Sequence, residues 1–410
     1  MEAIALLQDK RIVLGVCGSI AAYKAVDLAS KLTQAGARVD VVLTAAAQRF
    51  VSPLTFQAVS GRPVYSDLWS AESPGALPSH IAHIGLAEAA DLMAVAPATA
   101  NTLAKLAHGF ADDLLSVIAM AIDCPLLIAP AMDGKMYENP AMRDNCERLR
   151  QRGADLIEPE AGRFASGLSG IGRLPETDSM LGHIRRVMGR DGELAGHKLV
   201  VTAGGTRESI DPVRFITNRS TGKQGYAIAQ AAVDAGADVV LISAAAGLPA
   251  PVGATLVAVD SAESMRQAVL ANVADSSALV MAAAVADYRP RTVSEQKIKK
   301  SDDNLNLPLT RTADILMAVK AQRAQTGYPM IAVGFAAESE NLVENASDKL
   351  QSKGLDLLIA NDITAADAGF AVDTNRVVAL DMDGGLHQID LTRKAAIGAY
   401  VIERIGGLLQ

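Results

Sequence analysis

Apolar positions along this 410-residue chain fall into two kinds of run, and the pair of runs occurs twice. "RIVLGVCG" (11–18) is apolar at nearly every position, as a strand covered on both faces requires. "SIAAYKAVDLASKLTQAG" (19–36) then spaces its apolar residues three and four apart, the period of an amphipathic helix. "RVDVVLT" (38–44) follows as a second strand. Near residue 198 the pattern restarts with "HKLVVTAGGT", a long connection, the helix "GKQGYAIAQAAVDAG" and the strand "DVVLIS". "QAGARVDVVLTAAA" and "DAGADVVLISAAA" show the likeness of the halves directly. Two βαβ-type units predict two α/β domains, each Rossmann-like, three-layered and mainly parallel. The polar, glycine-containing stretch "MGRDGELAG" between Met188 and Gly196 marks the seam, giving domains 1–190 and 191–410.

Composition narrows the function classes. Half of the residues are hydrophobic but only 4% are aromatic, so alanine, valine, leucine and glycine supply the bulk expected of helix-covered parallel sheets. A formal net charge of -8 argues against nucleic acid as partner, because such a surface is normally basic. No apolar run approaches the roughly 18 residues of a bilayer span, and no membrane association is expected. The opening "MEAIALLQDKR" lacks the basic leader and apolar core of a secretory signal. Cys17, Cys124 and Cys146 form no CxxC pair, which fits a reduced, cytoplasmic setting.

Neither half contains GxGxxG. The second strand ends in Thr44 in one half and Ser243 in the other, where a nicotinamide site would want a carboxylate for the ribose. Hydroxyls and glycine amides suit a phosphate or mononucleotide better, and a nicotinamide-dependent oxidoreductase with two Rossmann-like domains stands as the alternative. "NRSTGKQG" (218–225) resembles half a P-loop. The full pattern fails at both ends, with Thr217 in place of the first glycine and Gln224 in place of the magnesium-binding hydroxyl. Ligands in such sheets collect at the carboxyl ends of strands. "ADLMAVAPATAN" is expected to place Pro97, Ala98, Thr99 and Asn101 in a loop after a strand, and "CPLLIAPAMDGKMY" does the same for Pro130 to Asp133. His83, with His80 three residues earlier, is a candidate acid or base; as a metal pair the two lack a third ligand.

These stretches carry a specific resemblance. "GVCGSIAAYK", "HIGLAEAADLMAVAPATAN", "GFADDLLS" and "APAMDGKMY" resemble the FMN-dependent cysteine decarboxylases, whose domain is flavodoxin-like. "TAGGTRESIDPVRFITNRSTGKQGYAIA", "AAAVADYRP", "KIKK" and "VGFAAES" resemble phosphopantothenate–cysteine ligase. Their order over nearly the whole chain is that of the bifunctional enzymes of bacterial coenzyme A biosynthesis. For the first half the resemblance implies that FMN oxidises the thiol end of 4'-phosphopantothenoylcysteine, so that carbon dioxide leaves readily. His83 matches the catalytic histidine. Gly15, Gly18, Ser19 and Thr44 would cradle the FMN phosphate; Pro97, Ala98, Thr99, Asn101 and Ser116 would meet the flavin. Two positions depart from the family: Asp133 stands where many members have asparagine, and Ser166, in the flap-like "GRFASGLSGIGRLPE", where several have cysteine. Serine cannot copy a thiol with pKa near 8.5, so the reductive step needs another donor or the flavin unaided. Asp133 is expected to be protonated in the substrate complex, or to engage another part of the substrate while backbone amides hold the carboxylate.

For the second half the resemblance implies activation of 4'-phosphopantothenate by CTP to an acyl-cytidylate, from which the amine of cysteine displaces CMP. Lys297 matches the catalytic lysine, with Lys299 and Lys300 beside it. Asp287 would meet cytidine or a Mg2+ ion shared with the phosphates. Ala283 and Ala284 would leave room for the base or intermediate, and Met281, Ala282, Ala313, Asp314, Ile315 and Leu316 with Phe335, Lys349 and Lys353 match further CTP contacts. Asn218 matches the asparagine that holds the acyl-cytidylate, and the turn after it belongs to the substrate and dimer surface. Trimeric decarboxylases and dimeric ligases in one chain imply a closed homo-oligomer, a dodecamer. A flavin-binding regulator without turnover is a third reading, opposed by His83 and the ligase motifs.

Overall fold

Strand β1 (Arg11–Val16) is buried from its second residue onward and lies between two parallel neighbours, which explains its unbroken apolar run. The computed structural model describes residues 3–69, 81–300, 305–338, 342–362 and 372–410. The chain divides into two compact units, Met1–Gly189 and Arg190–Gln410. In the first, β1 leads through α1 (Ala22–Gln34) to β2 (Arg38–Leu43), and α2 (Pro53–Ser60) leads to the short β3 (Val64–Tyr65). Helix α3 (Ala82–Ala89) precedes β4 (Leu92–Ala98), which runs into α4 (Ala100–His108) and α5 (Leu114–Ala121). Next come β5 (Leu126–Pro130), α6 (Gly134–Tyr137), α7 (Pro140–Gln151) and β6 (Asp155–Leu156). A hairpin of β7 (Glu160–Arg163) and β8 (Ser169–Arg173), followed by α8 (Thr177–Gly189), completes the unit.

Six parallel strands are ordered β3-β2-β1-β4-β5-β6. Alternate residues feed opposite faces. Ile12, Leu14 and Val16 pack with α1 and α8 through Leu28, Leu32 and Ile184. Val13, Met93 and Val95 pack with α4, α5 and α7 through Leu103, Leu115 and Leu149. Each such fully buried aliphatic side chain contributes about 1.5–3 kcal/mol relative to exposure.

The second unit repeats the plan. It begins with β9 (Lys198–Ala203) and a ribbon of β10 (Arg207–Ser209) and β11 (Phe215–Thr217), followed by α9 (Lys223–Asp234) and β12 (Asp238–Ser243). Then come β13 (Thr255–Ala258), α10 (Ala262–Asn272) and β14 (Ala278–Met281), and a second ribbon of β15 (Tyr288–Pro290) and β16 (Leu309–Arg311). Helix α11 (Ile315–Thr326) precedes β17 (Ile331–Glu338), and α12 (Leu342–Lys353) precedes β18 (Leu357–Asp362). Strands β19 (Thr374–Asp381) and β20 (Leu386–Arg393) and helix α13 (Lys394–Leu409) end the chain.

The eight-stranded sheet runs β13-β12-β9-β14-β17-β18-β19-β20, parallel through β18 and antiparallel for the last two strands. Its first six strands therefore repeat the order of the first sheet. In both, the chain direction of winding reverses beside the first strand, between β1 and β4 and between β9 and β14. Such reversal points open a crevice at the strand tips where ligands sit.

Candidate active sites

At the first crevice β1 and β4 stay joined past their ladders: the Cys17 N–H donates to the Pro97 carbonyl at 3.2 Å. Pro97 and Ala98 are the last, fully covered residues of β4 rather than loop residues. Proline is tolerated there because the pairing with β5 shifts register between Val95 and Ala98, so no ladder bond asks for its missing N–H. Thr99 caps α4, its Oγ1 accepting from the Thr102 N–H, and Asn101 is exposed in the first turn.

The turn from β1 to α1 brings Gly18 against the β2 end; a Cβ on Gly18 would come within 2.5 Å of the Ala46 Cβ. Thr44 follows β2, its N–H held by the Val16 carbonyl at 3.1 Å and its Oγ1 accepting from the Ala47 N–H. Ser19 Oγ accepts from the Ala21 N–H at 3.2 Å. Among the described residues the amides of Gly18, Ser19 and Ile20 meet no acceptor, so three donors point out of a turn that opens a helix. That donor set fits a phosphate group. Gly15 is closed off instead: a Cβ there would meet Leu115 at 2.8 Å, and its role is packing. Ser116 is likewise covered, its hydroxyl donating to Asp113 in the capping box of α5. Burial pushes the Cys17 thiol up to about 11, against a Thr102 hydrogen bond, which makes it a packed thiol rather than a reactive one.

His83 is half-buried in the first turn of α3, on a helix entering β4 rather than at a strand tip. His80 lies outside the described residues. Asp133 follows β5, caps α6 and accepts from the Lys135 N–H at 3.2 Å. Its second oxygen accepts from Ser166 Oγ at 2.8 Å, across from the exposed tip of the β7–β8 hairpin. The two positions that depart from the family are thus in direct contact. Phe164 packs beneath the hairpin against Gly134 and Gly170, and the Met132 N–H reaches the Gly172 carbonyl at 3.0 Å.

At the second crevice Gly204 accepts from the Ala284 N–H at 2.8 Å, and the Ala284 carbonyl is reached by the Thr206 N–H at 3.3 Å. Asn218 Nδ2 donates to the carbonyls of Ala284 and Val285 at 3.1 and 3.3 Å. A Cβ on Gly205 would lie 2.8 Å from the Asn218 carbonyl, so that approach requires glycine. Ala282 and Ala283 are half-buried beyond Met281, the end of β14, and Ala283 donates to Thr202 Oγ1 at 3.1 Å. Asp287 lies six residues past β14, not at its tip, and is exposed; its carbonyl accepts from the Thr312 N–H at 2.9 Å. Among the described residues no cluster of three metal-ligating side chains occurs.

Ala313 and Asp314 lead into α11, where Asp314 caps Ile315 and Leu316 by accepting from the Met317 N–H. Lys353 pairs with the other Asp314 oxygen, and Lys349 lies one turn earlier on α12. Phe335 is half-buried in β17. Lys297, Lys299 and Lys300 are exposed in a segment outside any helix or strand. Lys223 of the P-loop-like stretch pairs with Asp373 at 2.6 Å, behind the left-handed Gly222 that starts α9.

Sequence reasoning passed over Asp211. Its carboxylate accepts from the Val213 and Arg214 N–H groups, from the Arg214 guanidinium and from the Ile298 N–H. The Arg214 side chain, then the backbone donors, hold its carboxyl far below the usual range despite the counteracting cost of burial. An Asp followed by Pro, Val and Arg is an Asx-turn signature, the one signal available in sequence.

Two α/β units that each open a crevice at the same point of the same strand order, the first with amide donors suited to a phosphate, define a protein of the doubly wound, two-site class. The family described as "Flavoprotein" matches residues 4–189, and "DNA/pantothenate metabolism flavoprotein C-terminal domain" matches residues 194–408. The coenzyme A biosynthesis bifunctional protein CoaBC of Bacillus subtilis (strain 168) is 45% identical over 406 residues, 98% of each chain. That of Mycobacterium tuberculosis (strain ATCC 25618 / H37Rv) is 43% identical, covering 97% of this chain and 96% of its own. Among solved structures, the C-terminal domain of a CoaBC protein aligns with TM-score 0.45 and 36% identity over 53% of this chain and 98% of that one. The FMN binding protein AtHal3 aligns with TM-score 0.38 and 33% identity over 43% of this chain and 96% of that one. The chain belongs to the family of coenzyme A biosynthesis bifunctional proteins, enzymes that join a flavoprotein decarboxylase to a ligase.

Proposed function

We propose that residues 191–410 ligate L-cysteine to 4'-phosphopantothenate at the expense of CTP, and that residues 1–190 decarboxylate the product, 4'-phosphopantothenoylcysteine, to 4'-phosphopantetheine with FMN. The observation that carries this reading is the pair of equivalent crevices, one lined by the unclaimed amides of Gly18, Ser19 and Ile20 and the other closed over by Asn218 on the Ala284 and Val285 carbonyls. FMN, when bound, supplies the oxidation that makes loss of carbon dioxide easy and returns the electrons afterwards. Gly18, Ser19 and Thr44 would hold its phosphate, and Pro97, Ala98, Thr99 and Asn101 would border its ring, with Gly15 and Ser116 supporting from behind. His83 would move a proton at the substrate.

Both Asp133 oxygens meet donors of the protein, the Lys135 N–H and Ser166 Oγ. Asp133 would engage another part of the substrate, while backbone amides hold the substrate carboxylate. Two like charges about 4 Å apart would otherwise cost about 4 kcal/mol at an effective dielectric of 20. Asp133→Asn then leaves Ser166 with an amide partner. We expect turnover of 4'-phosphopantothenoylcysteine to fall about tenfold, the size of one lost charge-assisted hydrogen bond. Unchanged turnover would leave the carboxylate without a special role.

In the ligase, Lys297 would follow charge onto the departing pyrophosphate. Asp287 would bind Mg2+ shared with the triphosphate, since an all-protein cage is not what its surroundings offer. Ala313 to Leu316, Phe335, Lys349 and Lys353 would border the nucleotide, with Lys353 fixed by Asp314. Asn218 would hold the acyl-cytidylate. Asn218→Asp loses both carbonyl contacts, and we expect the reaction of isolated acyl-cytidylate with cysteine to fall 10- to 100-fold more than pyrophosphate release does. Normal conversion of that intermediate would remove Asn218 from the site. Trimeric and dimeric contacts would combine in a dodecamer, and all three thiols being free fits the cytoplasm.

The decisive test uses purified chain, CTP or ATP, cysteine and 4'-phosphopantothenate, with products identified by mass. A yellow protein that yields 4'-phosphopantetheine with CTP is the expected result. A colourless one that cannot be reconstituted with FMN, and that releases no pyrophosphate from CTP, would overturn the reading. A protein that instead reduces a nicotinamide would move the chain to the oxidoreductase alternative.

A further inference from the structure

We infer that the turn between β10 and β11 is a clasp for the lysine segment, in which Asp211 and Arg214 grip the backbone of Ile298 and so fix the position of Lys297. The inference rests on the ligase reading above. Ile298 is held at both backbone groups: its N–H donates to Asp211 Oδ2 at 3.1 Å, and its carbonyl accepts from Arg214 Nη2 at 2.6 Å. Four residues earlier the Ser294 N–H donates to the Ile210 carbonyl at 3.0 Å. Ser294 Oγ donates to the Gln296 carbonyl at 2.6 Å, folding the segment on itself. Three bonds therefore tie 294–298 to 210–214 across more than eighty residues of sequence, on both sides of Lys297.

Residues 291–300 lie outside helices and strands and their lysines are exposed; among the described residues the other backbone tie is at the start of the segment, where the Arg291 N–H donates to the Pro308 carbonyl at 2.9 Å. Exposed segments of that composition ordinarily sample many conformations. A catalytic lysine, by contrast, is effective only when its ammonium is where charge develops.

The residue types in the clasp follow from the contacts. Asp211 is 2% exposed and its side chain meets donors only: the Val213 and Arg214 N–H on one oxygen, Arg214 Nε, Nη2 and the Ile298 N–H on the other. An amide in its place must aim an NH2 at one of these donor sets. Arg214 commits two of its three nitrogens, Nε and Nη2, to Asp211 and Ile298, which makes it a positioning residue for the segment. The same ribbon continues through Thr217 to Asn218, which holds Ala284 and Val285. One hairpin thus sets both the asparagine and the lysine of the ligase site.

The test is Asp211→Asn in the full-length protein. Four quantities are read: pyrophosphate release from CTP and 4'-phosphopantothenate, conversion of prepared acyl-cytidylate by cysteine, decarboxylation of 4'-phosphopantothenoylcysteine, and hydrogen exchange. We expect pyrophosphate release to slow about 10²-fold, the effect of a displaced catalytic group. Conversion of the intermediate is expected to fall much less, decarboxylation to stay unchanged, and exchange to quicken over 294–298 but not over β9 or β14. Arg214→Lys keeps the charge but cannot span both partners, and is expected to give the same pattern more weakly; it carries the test if Asp211→Asn does not fold. Unchanged exchange over 294–298 in either variant overturns the clasp, as does equal loss of both ligase steps. If Lys297→Gln releases pyrophosphate normally, the ligase reading fails, and the exchange result still decides whether the clasp exists.

Discussion

Lys297→Gln is expected to lower CTP-dependent pyrophosphate release by about 10³-fold while leaving decarboxylation of added 4'-phosphopantothenoylcysteine at its original rate. Formation of the acyl-cytidylate moves negative charge onto the departing pyrophosphate, and a positioned donor of that kind contributes about 10²- to 10³-fold when removed singly. Lys297 carries an additional formal charge, so the upper end of that range applies. Lys299 and Lys300 are exposed beside it, yet they flank the gripped Ile298 on its other side and cannot take the position of Lys297 without breaking the bonds to Asp211 and Arg214. Lys299→Gln and Lys300→Gln should therefore cost less than about tenfold each, as exposed charges acting through screened solvent do. Measuring all three variants by pyrophosphate release at constant ionic strength checks the ranking. Equal losses at the three lysines would mean a diffuse cationic patch rather than a placed group.

The contrast between what could and could not be read from sequence has a simple physical origin. Strands β1 and β9 are buried on both faces, so their apolar runs announced them, and the repetition of strand, helix and strand announced parallel sheets. The antiparallel pair β19–β20 extends the second sheet; β19 alternates half-buried with buried residues and the edge strand β20 is exposed along most of its length, which weakens the apolar signal. Pro97 and Ala98 read as loop because proline is normally excluded from central strands, and a local register shift is not written in the sequence. The apolar run "ALVMAAAVAD" reads as one strand up to Asp287, but β14 stops at Met281 and the chain then bridges to Gly205 through Ala284. Contacts between distant residues were the least legible of all. Asp133 and Ser166 stood out singly, yet nothing in their types said that they touch. Asp211 and Ile298, 87 residues apart, drew no notice, because a buried carboxylate is recognised by its donors and those are supplied by the fold.

His83→Asn is expected to lower decarboxylation of 4'-phosphopantothenoylcysteine by about 10³-fold, within the range of roughly 10²- to 10⁴-fold typical of a positioned acid or base. Asparagine is near in size and keeps hydrogen-bonding capacity, but it cannot exchange a proton near neutral pH, so the substitution separates proton movement from binding. His83 is half-buried in the first turn of α3, ahead of the buried Gly85 and Leu86, so part of the residue stays open to a ligand. Loss of catalysis should therefore come with retained yellow colour and with KM changed less than about threefold, the pattern of an interaction made in the transition state alone. Ligation, carried by the other unit, should be unaffected, and the product should accumulate as 4'-phosphopantothenoylcysteine. A variant that loses its flavin instead would assign His83 to cofactor binding, and one that retains turnover would pass the proton to a different group at the crevice, with the Ser166–Asp133 pair the next to be replaced.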